Sequence, residues 1–209
     1  DQTIVLSTGD LVSGGDQESD WDDELFATGY DNIRDLLSRM PFQSAMGNHD
    51  EDGSLFAKYL PYPYPSGGGT NGNYWSFDYG NIHFTVLDQY VDYGTGSPQY
   101  SWLVNDLSTT DREWKIVILH QPGWAAGYYE NDTLVQQLIQ PLCETYGVQM
   151  VFAGHNHYYS RADTNYVNHI TTGGGSSNLY DPDDNYPNVR VTSKTYHFCK
   201  IDITDDLLQ

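Results

Sequence analysis

Four short strand-like runs in this chain end in the same way. Thr3-Ile4-Val5-Leu6-Ser7 runs out at Gly9-Asp10, and Phe42 to Ala45 at Gly47-Asn48-His49-Asp50. Trp114 to Leu119 ends at His120, and Val148 to Phe152 ends at Gly154-His155-Asn156-His157. Runs of this length, three of them apolar and three closely followed by glycine, read as strands. Each delivers a side chain with a lone pair for a metal: a carboxylate, an amide oxygen or an imidazole. Ligands of parallel α/β sheets bind at the carboxyl ends of strands. A polar turn would account for any one of these endings; four of them at one sheet edge point to a site.

The segments between the runs set the fold class. Ser19 to Met40 is predicted to be one helix, with Trp21, Leu25, Ile33, Leu36, Leu37 and Met40 at helical spacing, Ser19 as cap and Pro41 as stop. With its flanking strands it makes a β-α-β unit, so those strands should be parallel. Residues 61–73 should form a loop, and Asn73 to Asp78 and Asn81 to Leu87 a hairpin around Tyr79-Gly80. Gln99 to Leu107 and Asp132 to Tyr146 read as helices, the second distorted by Pro141. Val167 to Thr172 and Thr195 to Ile203 read as further strands around a turn at Gly173-Gly174-Gly175. The order is α/β with inserted hairpins, in a single domain over 1–209 with no internal repeat.

Charge narrows the partners. With 29 acidic against 9 basic residues the formal charge is −20. Such a chain repels nucleic acid and anionic membrane surfaces, and it repels phosphate esters too unless bound cations reverse the local sign. No apolar stretch is long enough to span a membrane. Cys143 and Cys199 lack CxxC spacing, so a pair and two free thiols both stay open.

Gly9-Asp10, Gly47-Asn48-His49-Asp50, Val117-Ile118-Leu119-His120 and Gly154-His155-Asn156-His157 resemble, in order and spacing, the signature of the calcineurin-like metallophosphoesterases. Gln99-Tyr100-Ser101-Trp102-Leu103 and the stretch from Phe152 to Arg161 look closest to the purple-acid-phosphatase-like branch. The resemblance implies a four-layer α/β/β/α sandwich with mixed sheets. It implies two divalent transition metals (Zn, Mn or Fe), bridged by Asp10. Asn48, His120 and His155 would hold the second metal, and His157 would reach the first. A metal-bound hydroxide would attack the phosphorus of a small phosphate ester, monoester or diester. His49 would assist on the substrate side, with Asp50 orienting and charging its imidazole. The alternative is a weak or inactive relative that binds metal or phosphate without turnover. The oligomeric state stays open, and so does location, with secretion or the periplasm favoured by the relatives and the acidic surface.

Two departures from the pattern carry expectations. A tyrosine that binds ferric iron in purple acid phosphatases is replaced by Ser13, so a ferric phenolate chromophore is not expected. The family's opening Asp-x-His or Asp-x-Gly block, on the first strand, is absent upstream of Thr3. The natural protein is therefore expected to extend upstream and to supply that block. His83, His169 and His197 read as strand or rim histidines outside the site. The tyrosines of 59–64 and 126–129 read as packing and loop anchors, with a cleft lining as the other reading.

Overall fold

The computed structural model describes residues 4–26, 31–204 and 207–208. Strands β1 (Val5–Ser7) and β2 (Phe42–Ser44) pair in parallel, Val5 opposite Phe42 and Ser7 opposite Ser44, as a β-α-β unit requires. Between them lie α1 (Glu18–Asp20), which runs into a π-helical turn (Trp21–Leu25), and α2 (Asp31–Arg39). The expectation of one continuous helix falls partly on residues 27–30, outside the described residues. Ser19 is not the cap: Gln17 occupies that position without a side-chain bond, and the Ser19 hydroxyl donates to Asp20. The entry is fixed instead by Trp21, fully buried, whose indole N–H donates to the Gly15 carbonyl at 3.0 Å.

The large sheet has seven strands: β3 (Trp75–Tyr79), β4 (Ile82–Val86), β5 (Trp114–Ile118), β6 (Met150–Ala153), β7 (Tyr159–Thr164), β8 (Val167–Thr172) and β9 (Val189–Ser193). Their order is β3-β4-β5-β6-β8-β7-β9. The central four, β4, β5, β6 and β8, are parallel; β3, β7 and β9 run antiparallel to their neighbours. The predicted β3–β4 hairpin closes one residue late, on Gly80-Asn81, with Gly80 at φ 63°.

A strand inside a parallel sheet is apolar on both sides because both faces are covered. Val117 of β5 packs with Leu103 and Leu107 of α4 (Pro98–Thr109) and with Cys143 of α5 (Gln140–Tyr146). Its neighbours Ile116 and Ile118 point the other way, into a cluster with Ala45, Trp75, Phe84 and Phe152, on which Leu6 of β1 packs. A third cluster joins Val12 and Met46, beyond β1 and β2, to Trp21, Leu25 and to Phe56 of α3 (Ser54–Tyr59). Helices, large mixed sheet, small sheet and helices follow one another as the expected α/β/β/α layers. The distortion expected from Pro141 takes the form of a π-helical turn, Val135–Ile139, before α5. Among the described residues no helix is long and apolar enough to cross a membrane.

One expectation needs correction. Thr195 to Ile203 is not a strand; the ladder strand is β9, and among the described residues after it only Ile203–Thr204 (β10) pairs again, with Leu207–Leu208 (β11). The alternation that suggested a strand is present, since Cys199, Ile201 and Ile203 pack on the sheet's apolar face while Tyr196 and Phe198 are exposed. The segment covers the face without joining an edge. β7 was not foreseen, because its inward residues are the small Ser160 and Ala162, which leave no apolar alternation to read. Cys143 and Cys199 are both free.

Candidate metal centre

The carboxyl ends of β1, β2, β5 and β6 meet, and backbone contact brings them together. Gly47 has no room for a side chain: a Cβ there would lie 2.2 Å from Asp10 Oδ1 and 2.4 Å from Asp10 N. At the end of β6, a Cβ on Gly154 would lie 2.6 Å from Thr8 Oγ1. Asp10 and His155 themselves adopt positive φ, 57° and 63°, a conformation uncommon for non-glycine residues that turns each side chain sharply off its strand.

Four of the expected ligands converge. Around His120 Nε2 lie Asp10 Oδ2 at 3.1 Å, Asn48 Oδ1 at 3.2 Å and His155 Nδ1 at 3.2 Å. Asp10, His120 and His155 form the candidate ion-holding group of His, Cys, Asp or Glu among the described residues. The other nitrogen of His120, Nδ1, lies 2.7 Å from the Thr8 carbonyl. A carbonyl only accepts, so Nδ1 carries a proton, and Nε2 is the nitrogen left to face the other three groups. Without a proton on Nε2, its lone pair would face a carboxylate oxygen and an amide oxygen, a repulsion that a cation among them removes. Carboxylate, amide and two imidazoles suit a divalent transition metal, and a carbonyl behind the imidazole is the support such a ligand ordinarily has. The donor set fits the metal that the sequence implies.

Electrostatics agree. Burial pushes the Asp10 carboxyl up, but the hydrogen bond and charge of His120 outweigh it and hold the group below the usual range. Burial, then the neighbouring His120, brings His155 down to about 4, so its imidazole is neutral, as a ligand must be.

The remaining expected residues are placed differently. His157 lies outside the convergent group; its Nδ1 is 2.8 Å from both the Asn178 carbonyl and the Ser176 hydroxyl, which leaves Nε2 as its ligating nitrogen. His49 is exposed; its N–H donates to Asp10 Oδ1 at 2.8 Å, and its Nδ1 sits 2.9 Å from the Ser13 carbonyl. Asp50 does not orient that imidazole. Its Oδ2 accepts the backbone N–H groups of Gly47 (2.7 Å) and Asp10 (3.1 Å), which clamps the two ligand-bearing turns together. Burial pushes this carboxyl up to about 7. His83 and His169 are buried strand residues paired away from the centre, with Asp78 and Asp106 and with Gln140 respectively.

Some participants carried no signal in the sequence. Gln89 Oε1 accepts the backbone N–H groups of His120 (2.8 Å) and Gln121 (2.7 Å), bracing the end of β5. Asn156 is buried between the two histidines, and its Oδ1 accepts the N–H of Tyr129 at 3.0 Å. The rings of 126–129 do not simply pack, as first read: Tyr129 lies 4.4 Å from His155, while Tyr180 stacks on His157 at 4.1 Å.

The chain has known relatives. The chain is 33% identical over 198 residues to purple acid phosphatase 18 of Arabidopsis thaliana, an alignment covering 83% of this chain and 44% of that protein. It is 35% identical to purple acid phosphatase 23 of the same plant over 63% of this chain and 31% of the relative. The chain thus spans less than half the length of these relatives. In fold it is similar to GAP50, described as the anchor in the inner membrane complex of Plasmodium (TM-score 0.75, 19% identity, 99% of this chain and 72% of that one). It is also similar to purple acid phosphatase PPD1 of yellow lupin (TM-score 0.69, 21% identity, 91% and 40%). The profile of the calcineurin-like phosphoesterases matches residues 1–159, which contain every residue of the centre, and the chain belongs to that family.

Proposed function

We propose that the chain hydrolyses phosphoric esters in a metal-dependent reaction, with residues 1–209 acting as one catalytic domain. The observation that supports this most is the set of lone pairs around His120 Nε2, all within 3.2 Å. Asn48, His120, His155 and Asp10 would hold one metal. Asp10 and His157, the latter through Nε2, would contribute to another. Bound metals supply Lewis acidity toward a phosphoryl oxygen and make a water acidic enough to react. The rest falls to the chain. Asp50 keeps the Asp10 and Gly47 turns in register by accepting both N–H groups. Thr8 holds His120 in the tautomer that ligates. His49, fixed at Nδ1 by the Ser13 carbonyl, has Nε2 as the atom that gives a proton to the departing ester oxygen. Its exposure suits a group that must meet substrate.

Two observations favour a second reading, metal or phosphate binding without turnover. Among the described residues only one group of ligating side chains converges, and purple acid phosphatase 24 of Arabidopsis, 29% identical, is named probably inactive. The two readings separate on p-nitrophenyl phosphate and its bis ester, with and without a chelator. Chelator-sensitive release of nitrophenol supports the enzyme. Tight metal binding with no release from either ester would sink it. The same protein, desalted and subjected to elemental analysis, should retain about one metal per chain, since four ligands serve one position and two serve the other.

A further inference from the structure

The metal ligands are walled by aromatic rings that no step above uses. Tyr180 is sandwiched between two parallel rings, His157 at 4.1 Å and Tyr128 at 3.6 Å. Tyr129 stands across this stack, at 88° to Tyr128 and 78° to Tyr180, and leans on His155 at 4.4 Å. The result is a corner, one wall resting on each histidine. Its surface is open: Tyr128 is 63% exposed and Tyr129 42%.

The corner is built. Tyr128 holds φ at 79°, directly after Gly127 at 83°, which for a tyrosine costs conformational energy that the surroundings must impose. Those surroundings belong to the segment that carries the ligands. Buried Asn156 accepts the N–H of Tyr129, and the hydroxyl of buried Tyr158 donates to the Gly127 carbonyl at 2.6 Å. From the other side, the Asp183 N–H donates to the Ala126 carbonyl at 2.7 Å. Packing does not call for a strained, exposed ring; a ligand with an aromatic face does.

On the basis of the phosphoester reading above, we propose that Tyr128, Tyr129 and Tyr180 form a specificity wall for phosphoesters whose alcohol portion is a planar aromatic group. A phosphoryl group held at His155 and His157 places the ester alcohol beside the rings that touch those same two imidazoles. Charge favours a neutral ring over further anionic groups, because the chain carries a formal charge of −20. Among the described residues the hydrogen-bond partners of the ligands include no lysine or arginine. A quaternary ammonium is the other guest of aromatic walls, but it is best held by faces on several sides, and here one face of Tyr128 is already covered by Tyr180.

The test uses non-hydrolysable analogues, so that it does not depend on turnover. Phenylphosphonate and methylphosphonate are titrated calorimetrically into the zinc-loaded protein. Wild type should favour the phenyl compound, and that preference should fall roughly 5-fold in Tyr128→Asn, the size of one stacked pair; asparagine tolerates the left-handed backbone that Tyr128 occupies. Tyr129→Leu should lower it similarly, and Tyr128→Phe should keep it. An unchanged preference in both ring-removing variants overturns the wall, as does its loss in Tyr128→Phe, which would assign the effect to the hydroxyl. Displacement of phenylphosphonate by tetramethylammonium from wild type would replace the wall with a cation site. Hydrolysis of phenyl and methyl phosphate is assayed separately. If neither turns over while the phenyl preference and its loss stand, the hydrolase reading fails and the wall survives.

Discussion

Gly47→Ala is a small change with a sharply defined consequence. The backbone of Gly47 has φ −114° and ψ −179°, an extended conformation that alanine adopts without strain. Any effect must therefore come from the added methyl, which would sit 2.2 Å from Asp10 Oδ1 and 2.4 Å from Asp10 N. Relief requires the two turns to separate by about 1 Å, since carbon and nitrogen or oxygen rest at roughly 3.4 Å. Yet both turns hang from the same Asp50 oxygen, through N–H bonds of 2.7 and 3.1 Å. Overpacking costs about 1–3 kcal/mol, and one hydrogen bond about 0.5–1.5. Losing one bond together with some of the overpacking gives about 2–4 kcal/mol. At 2–4 °C per kcal/mol for a domain of this size, the melting temperature should fall about 4–16 °C. Metal affinity should fall at least about tenfold, because ligand distances tolerate only ~0.2 Å. Scanning calorimetry and a zinc titration read the two effects. Gly147→Ala is the control: its φ is 70° and nothing lies within 4 Å of the added carbon. It should cost about 1–2 kcal/mol of backbone strain and leave zinc affinity alone. If Gly47→Ala melts and binds zinc like wild type, the close approach that assembles the centre is wrong.

Three further outcomes are expected. His49→Ala should retain metal while kcat falls on the order of 10²-fold; metal loss or full activity would remove it from the proton-transfer role. Iron-loaded protein should show no visible charge-transfer band, since Ser13 stands where a phenolate would bind; a violet preparation, checked by absorption spectroscopy, would mean that another tyrosine reaches the metal. His83 makes a pH test of stability: burial lowers its affinity for a proton, but the bonds to Asp106 (2.9 Å) and Asp78 (2.8 Å) outweigh this and raise its pKa above 6.5. The contribution of a raised histidine is complete below the unfolded pKa and lost as pH climbs through the folded one, so melting temperatures should slope downward above about pH 6.5. His83→Gln should flatten that slope, and a slope unchanged by the substitution would show that the pair does not titrate with folding.

The fold was legible where both faces of a strand are covered. β5 and β6 read as strands, with Ile116 to Ile118 and Met150 to Ala153 free of polar residues, because Val117 meets α4 and α5 while Ile116 and Ile118 meet the opposite cluster. The pattern failed where small or polar residues do the inward packing, as in β7 with Ser160 and Ala162, and where an alternating segment covers a face without pairing, as at Cys199, Ile201 and Ile203. Hydrogen bonding to a strand edge is a tertiary event that side-chain alternation does not encode.

Within the site, legibility followed chemistry. Few side chains can ligate a transition metal, so Asp10, Asn48, His120 and His155 stand out by type alone once they fall at strand ends, and the structure brings all four together. Asp50 is a carboxylate too, but its type does not say whether it faces an imidazole or two backbone amides, and the tighter claim about it failed. Aromatic residues are harder still, because packing uses them everywhere. Tyr62 and Tyr128 come from equally tyrosine-rich stretches. Tyr62 stacks on Trp75 at 3.9 Å and donates its hydroxyl to the Phe42 carbonyl at 3.0 Å, which is structural work. Tyr128 instead stacks on a ring that stacks on His157, with its other face in solvent. What separates the two is the φ of one residue and the partner of one buried asparagine, neither of which can be read from a list of residue types.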